Sequence, residues 1–101
     1  MSAPVMETVE FSLVRGSDRD AFIEAAGKIN DWIARQPGFV RRRLSHEEDV
    51  RWIDQVEWSD LAAAQAAADG IATEPGNAAF MALIDGPSVI MTHSKIVVAL
   101  R

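Results

Sequence analysis

Apolar residues recur along this chain with two alternating spacings, and the order of those stretches restricts the fold more than any other feature. In residues 5–14 (VMETVEFSLV), Val5, Val9, Phe11 and Leu13 share one face and Thr8, Glu10 and Ser12 the other, the period of a strand with one apolar side. Glu7 is the exception, a carboxylate on the apolar side. After Arg15-Gly16, Ser17 is expected to cap a helix, with Asp18 and Asp20 favoured in its first turn. Phe22, Ala25, Ala26, Ile29, Trp32 and Ile33 then follow at helical spacing, and Gln36-Pro37-Gly38 stops the helix because proline disfavours it at the preceding residue. Residues 39–46 and 51–58 read as the strands of a hairpin around Glu47-Glu48-Asp49. Ser59 is expected to cap a second helix through about Ala68, with Leu61, Ala64, Gln65 and Ala68 as its core stripe. Thr73 is expected to cap a further segment, with Phe80, Leu83 and Ile84 on its apolar side and Asp85-Gly86-Pro87 as its stop. Residues 88–100 (SVIMTHSKIVVAL), rich in β-branched residues, form the last and longest expected strand.

The order strand, helix, strand, strand, helix pair, strand predicts an α+β fold of ferredoxin-like βαββαβ type. Two right-handed crossovers place both helical segments on one face of a four-stranded antiparallel sheet. A chain of 101 residues is expected to be a single domain over 1–101, with a thin core. Its 49% hydrophobic content is high for so small an interior. The uncovered sheet face is therefore expected to meet a second copy, making the protein a homodimer.

Composition narrows the partners. A formal net charge of −5 argues against nucleic acid and anionic membrane surfaces. No apolar run approaches the ~20 residues that span a bilayer. The chain has no cysteine, which excludes disulfides, thiolate metal sites and a Cys nucleophile and suits a reducing cytoplasm. Met1-Ser2-Ala3-Pro4 lacks a basic run followed by an apolar stretch, so no signal peptide is expected. His46 and His93 lack the spacing of a metal pair, and no Gly-rich phosphate loop is present; no metal, flavin or other cofactor is expected.

Four segments carry a family likeness: Gln36-Pro37-Gly38-Phe39, Arg43-Leu44, Trp52-Ile53-Asp54-Gln55-Val56-Glu57-Trp58-Ser59 and Phe80-Met81-Ala82-Leu83-Ile84-Asp85. Through them nearly the whole chain resembles the dimeric α+β barrel proteins, and within those the antibiotic-biosynthesis-monooxygenase-like group. The resemblance implies two sheets facing each other across a dimer and a small-molecule cavity between sheet and helices in each subunit. It also implies, for some members, oxidation of an aromatic substrate by O₂ without metal or cofactor. Heme-degrading relatives use an Asn on the first strand and a Trp and a His in the second helical region. Here the first strand has no Asn, and residues 59–85 hold neither Trp nor His, the matching helix position being about Ala67.

The implied chemistry needs an apolar pocket and a base. Phe11, Trp58, Phe80 and Met81 are the expected walls, and each has an ordinary core role as its alternative. His93 is the expected acid–base group, because carboxylates are usually weak bases, lysine usually keeps its proton, and His46 is expected to be solvated at the hairpin end. Alternation groups His93 with Val89, Met91, Lys95 and Val97 and leaves open which way that face points. Glu57 and Asp54 are the next candidates as base, and Arg43 the candidate for orienting an anionic or phenolate substrate. Cross-strand ion pairing is the simpler account of Arg41, Arg43 and the acids facing them, with Arg42 on the opposite face. The functional expectation is a cofactor-free monooxygenase acting on a small apolar, aromatic or quinol-like ligand. The alternatives are a non-catalytic small-molecule binding or stress-associated protein, or a cofactor-free isomerase or decarboxylase.

Overall fold

The computed structural model describes residues 3–48 and 50–100; Asp49 of the expected acidic loop lies outside them, as do Met1, Ser2 and Arg101. The elements are β1 (Val5–Phe11), α1 (Arg19–Lys28), α2 (Asn30–Ala34), β2 (Phe39–Glu47), β3 (Arg51–Trp58), α3 (Leu61–Ile71), α4 (Ala78–Leu83) and β4 (Ile90–Lys95). The strands form one sheet in the order β2-β3-β1-β4, each neighbouring pair antiparallel. The crossover from β1 to β2 must therefore pass over β3, and that from β3 to β4 over β1, as the βαββαβ order predicts. No described helix is long and apolar enough to cross a membrane.

Alternation decides which side of the sheet is covered. Val5, Glu7 and Phe11 of β1 and Trp52, Asp54, Val56 and Trp58 of β3 are buried beneath the helices. Phe22, fully buried on α1, is the centre of the core. Its ring meets Phe11 at 5.7 Å, Trp52 at 4.8 Å and Phe80 at 5.3 Å between centroids. The opposite face is not the apolar surface that the composition led us to expect. It is mixed: Met6, Ile53 and Ile90 share it with Thr8, Glu10, Gln55, Glu57, Arg41 and Arg43, with ion pairs Arg41–Glu57 at 3.4 Å and Arg51–Glu10 at 3.9 Å. The large apolar residues left most exposed are instead Val97, Val98 and Leu100.

Several boundaries differ from the sequence expectations for local reasons. The first helix breaks at Ile29, whose N–H turns to the Gly27 carbonyl, so one expected helix becomes α1 and α2. Asp18, not Ser17, caps α1 by accepting from Asp20 N at 3.1 Å, while the Ser17 hydroxyl bonds back to the Val14 carbonyl. Asp60, not Ser59, caps α3, accepting from Ala63 N at 2.8 Å. Thr73 caps nothing; its hydroxyl donates to the Gly70 carbonyl. The buried side of α3 is Ala64 and Ala67, with Leu61 and Gln65 exposed. β1 stops at Phe11, and Leu13 forms only an isolated bridge to Ile84. β4 is shorter than expected because its neighbour runs out: the Ile96 N–H still reaches the Pro4 carbonyl, and residues 97–100 continue outside the ladder.

Gly38, between α2 and β2, has φ +85°, a region that side chains strain to occupy. A Cβ there would stand 2.5 Å from Ala63 Cβ and 2.6 Å from Ser59 Oγ, so β2 and α3 meet only because the position is bare. Gly38→Ala is expected to destabilise the fold by about 2–4 kcal/mol, combining positive-φ strain with overpacking. Urea unfolding of the two proteins would measure this, and a loss below about 1 kcal/mol would show that α3 can move away.

Candidate functional site

Two rows of side chains cross the helix-facing side of the sheet. One runs Arg42, Val56, Glu7, His93; the next runs Leu44, Asp54, Val9, Met91. Polar groups placed in this layer need partners, because an unpaired charge there is costly. Arg42 grips Asp54 with both ends of its fork, Nε to Oδ1 at 3.0 Å and Nη2 to Oδ2 at 2.8 Å. Its Nη1 donates to the Ala26 carbonyl and to Asn30 Oδ1, each at 2.8 Å. At the other end of the layer, His93 Nε2 lies 2.8 Å from Glu7 Oε2. The face left open by alternation is thus settled: His93 points to the helix side.

Between this layer and the helices lies a cavity of about 140 Å³. Phe11, Trp58, Phe80 and Met81 line it, with Ala67, Ala68 and Ile71 of α3 above and Val89 and Met91 toward β4. Glu7 and Asp54 are the ionisable residues of its lining, while their partners His93 and Arg42 are not part of it. Trp58 adds a third polar group. It is buried, and its Nε1 has no hydrogen-bond partner among the described residues. An unmet buried donor costs about 1–3 kcal/mol.

The remaining candidates go elsewhere. Arg43 and Glu57 lie on the uncovered face, because each is one residue out of phase with the buried set. Arg43 stands opposite Gln55, Glu57 pairs with Arg41, and both border a shallow groove shared with Ile96 and the residues after it. His46 is half-buried, not solvated: it lies opposite Trp52 and stacks on that ring at 4.3 Å. Sequence reasoning passed over Glu7 and Arg42 as site residues. The signals were present, Glu7 as the lone carboxylate on an apolar strand face and Arg42 as the arginine out of phase with its neighbours, but neither names its partner. Among the described residues, no group of three or more His, Asp or Glu is arranged to hold a metal ion.

The Arg42–Asp54 pair generates a stability prediction. Arg42→Met alone leaves a buried carboxylate uncompensated and is expected to cost about 3–5 kcal/mol, whereas Arg42→Met with Asp54→Leu should recover most of that loss. Denaturant midpoints of the three variants and the parent would check it.

No protein-family model matches the sequence, and no curated protein matches it. Solved structures do. SnoaB, a cofactor-independent oxygenase from Streptomyces nogalater, superposes over 98% of both chains with a TM-score of 0.73 at 23% identity. A heme-degrading protein from Mycobacterium tuberculosis, heme-free in its crystal, covers 100% of this chain and 99% of its own at TM-score 0.67 and 17% identity. A dimeric ferredoxin-like protein of unknown function from Jannaschia sp. covers 92% of this chain and 99% of its own at TM-score 0.67 and 14% identity. The chain therefore has the ferredoxin-like α+β fold of the antibiotic-biosynthesis-monooxygenase-like proteins, as its sequence resemblance implied.

Proposed function

We propose that this protein is a cofactor-independent monooxygenase acting on a single-ring hydroquinone or related phenol held in the cavity beneath the helices. The observation that carries the reading is the part-buried Glu7–His93 contact at 2.8 Å, whose Glu7 lines, with Asp54, a largely apolar, aromatic-walled cavity. Its volume, about 140 Å³, matches an engineered apolar protein cavity of about 150 Å³ that binds benzene. One ring fits that space.

Glu7 faces the ring and His93 stands behind it, so the pair serves as the base. The phenolic proton passes to Glu7 or through it to His93, and the electron-rich anion reacts with O₂. The substrate supplies the electrons: a hydroquinone and O₂ give a hydroxyquinone and water, with one oxygen atom entering the ring and the other leaving as water. No metal or flavin is required for that balance. The apolar walls exclude water that would quench the reactive anion. The likeness to SnoaB supports the same reaction class.

The working form in this proposal is a cytoplasmic homodimer. The apolar residues Val97, Val98 and Leu100, exposed beyond the end of β4, are suited to lie against a second copy, and the similar Jannaschia protein is dimeric. Sedimentation at micromolar concentration is expected to give twice the monomer mass, with an interface above ~2,000 Å². A clean monomer would remove the dimer.

The chemistry is tested by oxygen uptake with hydroquinones of one, two and three rings. Uptake should be greatest for one ring, and Glu7→Gln and His93→Gln should each lower kcat by about 10²–10⁴-fold while the fold persists. Binding without uptake would make the protein a carrier. Wild-type turnover by both variants would take the pair out of the mechanism.

A further inference from the structure

We propose that the groove between α1 and the edge strand β2 is a second binding site, for a small organic carboxylate with an apolar body. It is an open space of about 400 Å³ on the outer side of the Arg42–Asp54 pair, separate from the cavity that Asp54 lines. Its polar lining is Arg19, Asn30, Arg42 and His46, with no carboxylate among the lining residues, in a chain whose net charge is −5.

The hydrogen bonds of Arg42 determine what the groove offers. Both Asp54 oxygens, the Ala26 carbonyl and Asn30 Oδ1 all accept from that one guanidinium. The nearby acceptors are thereby consumed. With its oxygen held by Arg42, the Asn30 amide turns its Nδ2 donors away from that bond, and Nδ2 has no partner among the described residues. The Arg19 guanidinium lies over the Trp52 ring at 5.9 Å rather than on a carboxylate. His46 stacks on the Trp52 ring at 4.3 Å and extends that aromatic wall; its Nδ1 is buried, so the donors the groove offers are those of Arg19 and Asn30. A groove that presents donors and has spent its acceptors selects an oxyanion. Ile23, 47% exposed, and Leu44 supply an apolar wall beside them, so the favoured oxyanion carries a hydrocarbon body rather than being a bare inorganic ion.

Benzoate is the probe, titrated into the full-length ¹⁵N-labelled protein and followed by amide and indole shifts. Saturable shifts are expected at Ile23, Asn30, His46 and Trp52. Benzyl alcohol, which lacks the charge, and acetate, which lacks the ring, should each bind at least about tenfold more weakly. Arg19→Gln, at an exposed helix position, should weaken benzoate by about tenfold through loss of a charge-assisted contact. Asn30→Asp keeps an acceptor for Arg42 but replaces the free donors with a second carboxylate oxygen, and should abolish binding while the urea midpoint is retained. Equal binding of benzyl alcohol, equal binding of inorganic phosphate, or an unchanged benzoate affinity in Arg19→Gln would overturn the proposal. So would benzoate shifts at Val9, Met81 and Met91, which would place the ligand in the inner cavity. The readout is binding, so it stands apart from any turnover at Glu7 and His93.

Discussion

The bidentate grip of Arg42 on Asp54 is the interaction on which most of the architecture depends. A guanidinium on an edge strand would ordinarily reach for solvent. Here it is folded inward, with both ends of the fork matched to a carboxylate on the neighbouring strand and the remaining nitrogen tied to Ala26 and Asn30. Those last two contacts fall where the first helix breaks, so one side chain locks the edge of the sheet to the joint between α1 and α2. Such a pair is weak evidence for net stability, since desolvation offsets much of its Coulomb gain. Its effect is geometric: it sets where the helices lie over β2 and so where the inner space ends and the outer groove begins.

The second pair, Glu7 with His93, is built by the same rule at the other end of the layer, with a different result. Arg42 donates four of its five N–H groups to four acceptor atoms, whereas His93 has one partner for its Nε2. The first arrangement is a wall. The second is less enclosed, and its Glu7 borders the cavity that Trp58 also lines. A few polar groups at one apolar cavity are what separate a candidate site from a merely underfilled core.

The strands and their faces were legible because a period of two leaves little freedom once one side is buried. This put Phe11, Trp58 and the out-of-phase Arg42 on the right face, and the hairpin centre narrowed Arg41 to a place opposite Val56 or Glu57 and Arg43 to one opposite Asp54 or Gln55, of which the structure has Glu57 and Gln55. What stayed illegible has physical reasons. At Ser17-Asp18 and Ser59-Asp60 two capable residues are adjacent, and only the local backbone decides which side chain reaches the free N–H. In α3 a run of alanines offers no contrast in size from which to read a buried stripe. The polarity of the uncovered face was masked by composition, which counted the exposed Val97, Val98 and Leu100 with the core. His46 was misjudged because a hairpin end was equated with solvent, when its phase puts it on Trp52. The Glu7–His93 contact required knowing that β1 and β4 are neighbours, since the two residues are 86 apart in the chain.

That same run of alanines gives the fold an adjustable gauge. Ala67 and Ala68 roof the cavity with single methyl groups, and nothing polar depends on them. Each methylene added there would subtract volume from a space that holds only one ring, while the charged layer below stayed untouched. The polar groups and the small-residue roof therefore sit on opposite walls carried by different elements. Selection could retune what enters this protein by changing one helix, without renegotiating the chemistry on the sheet.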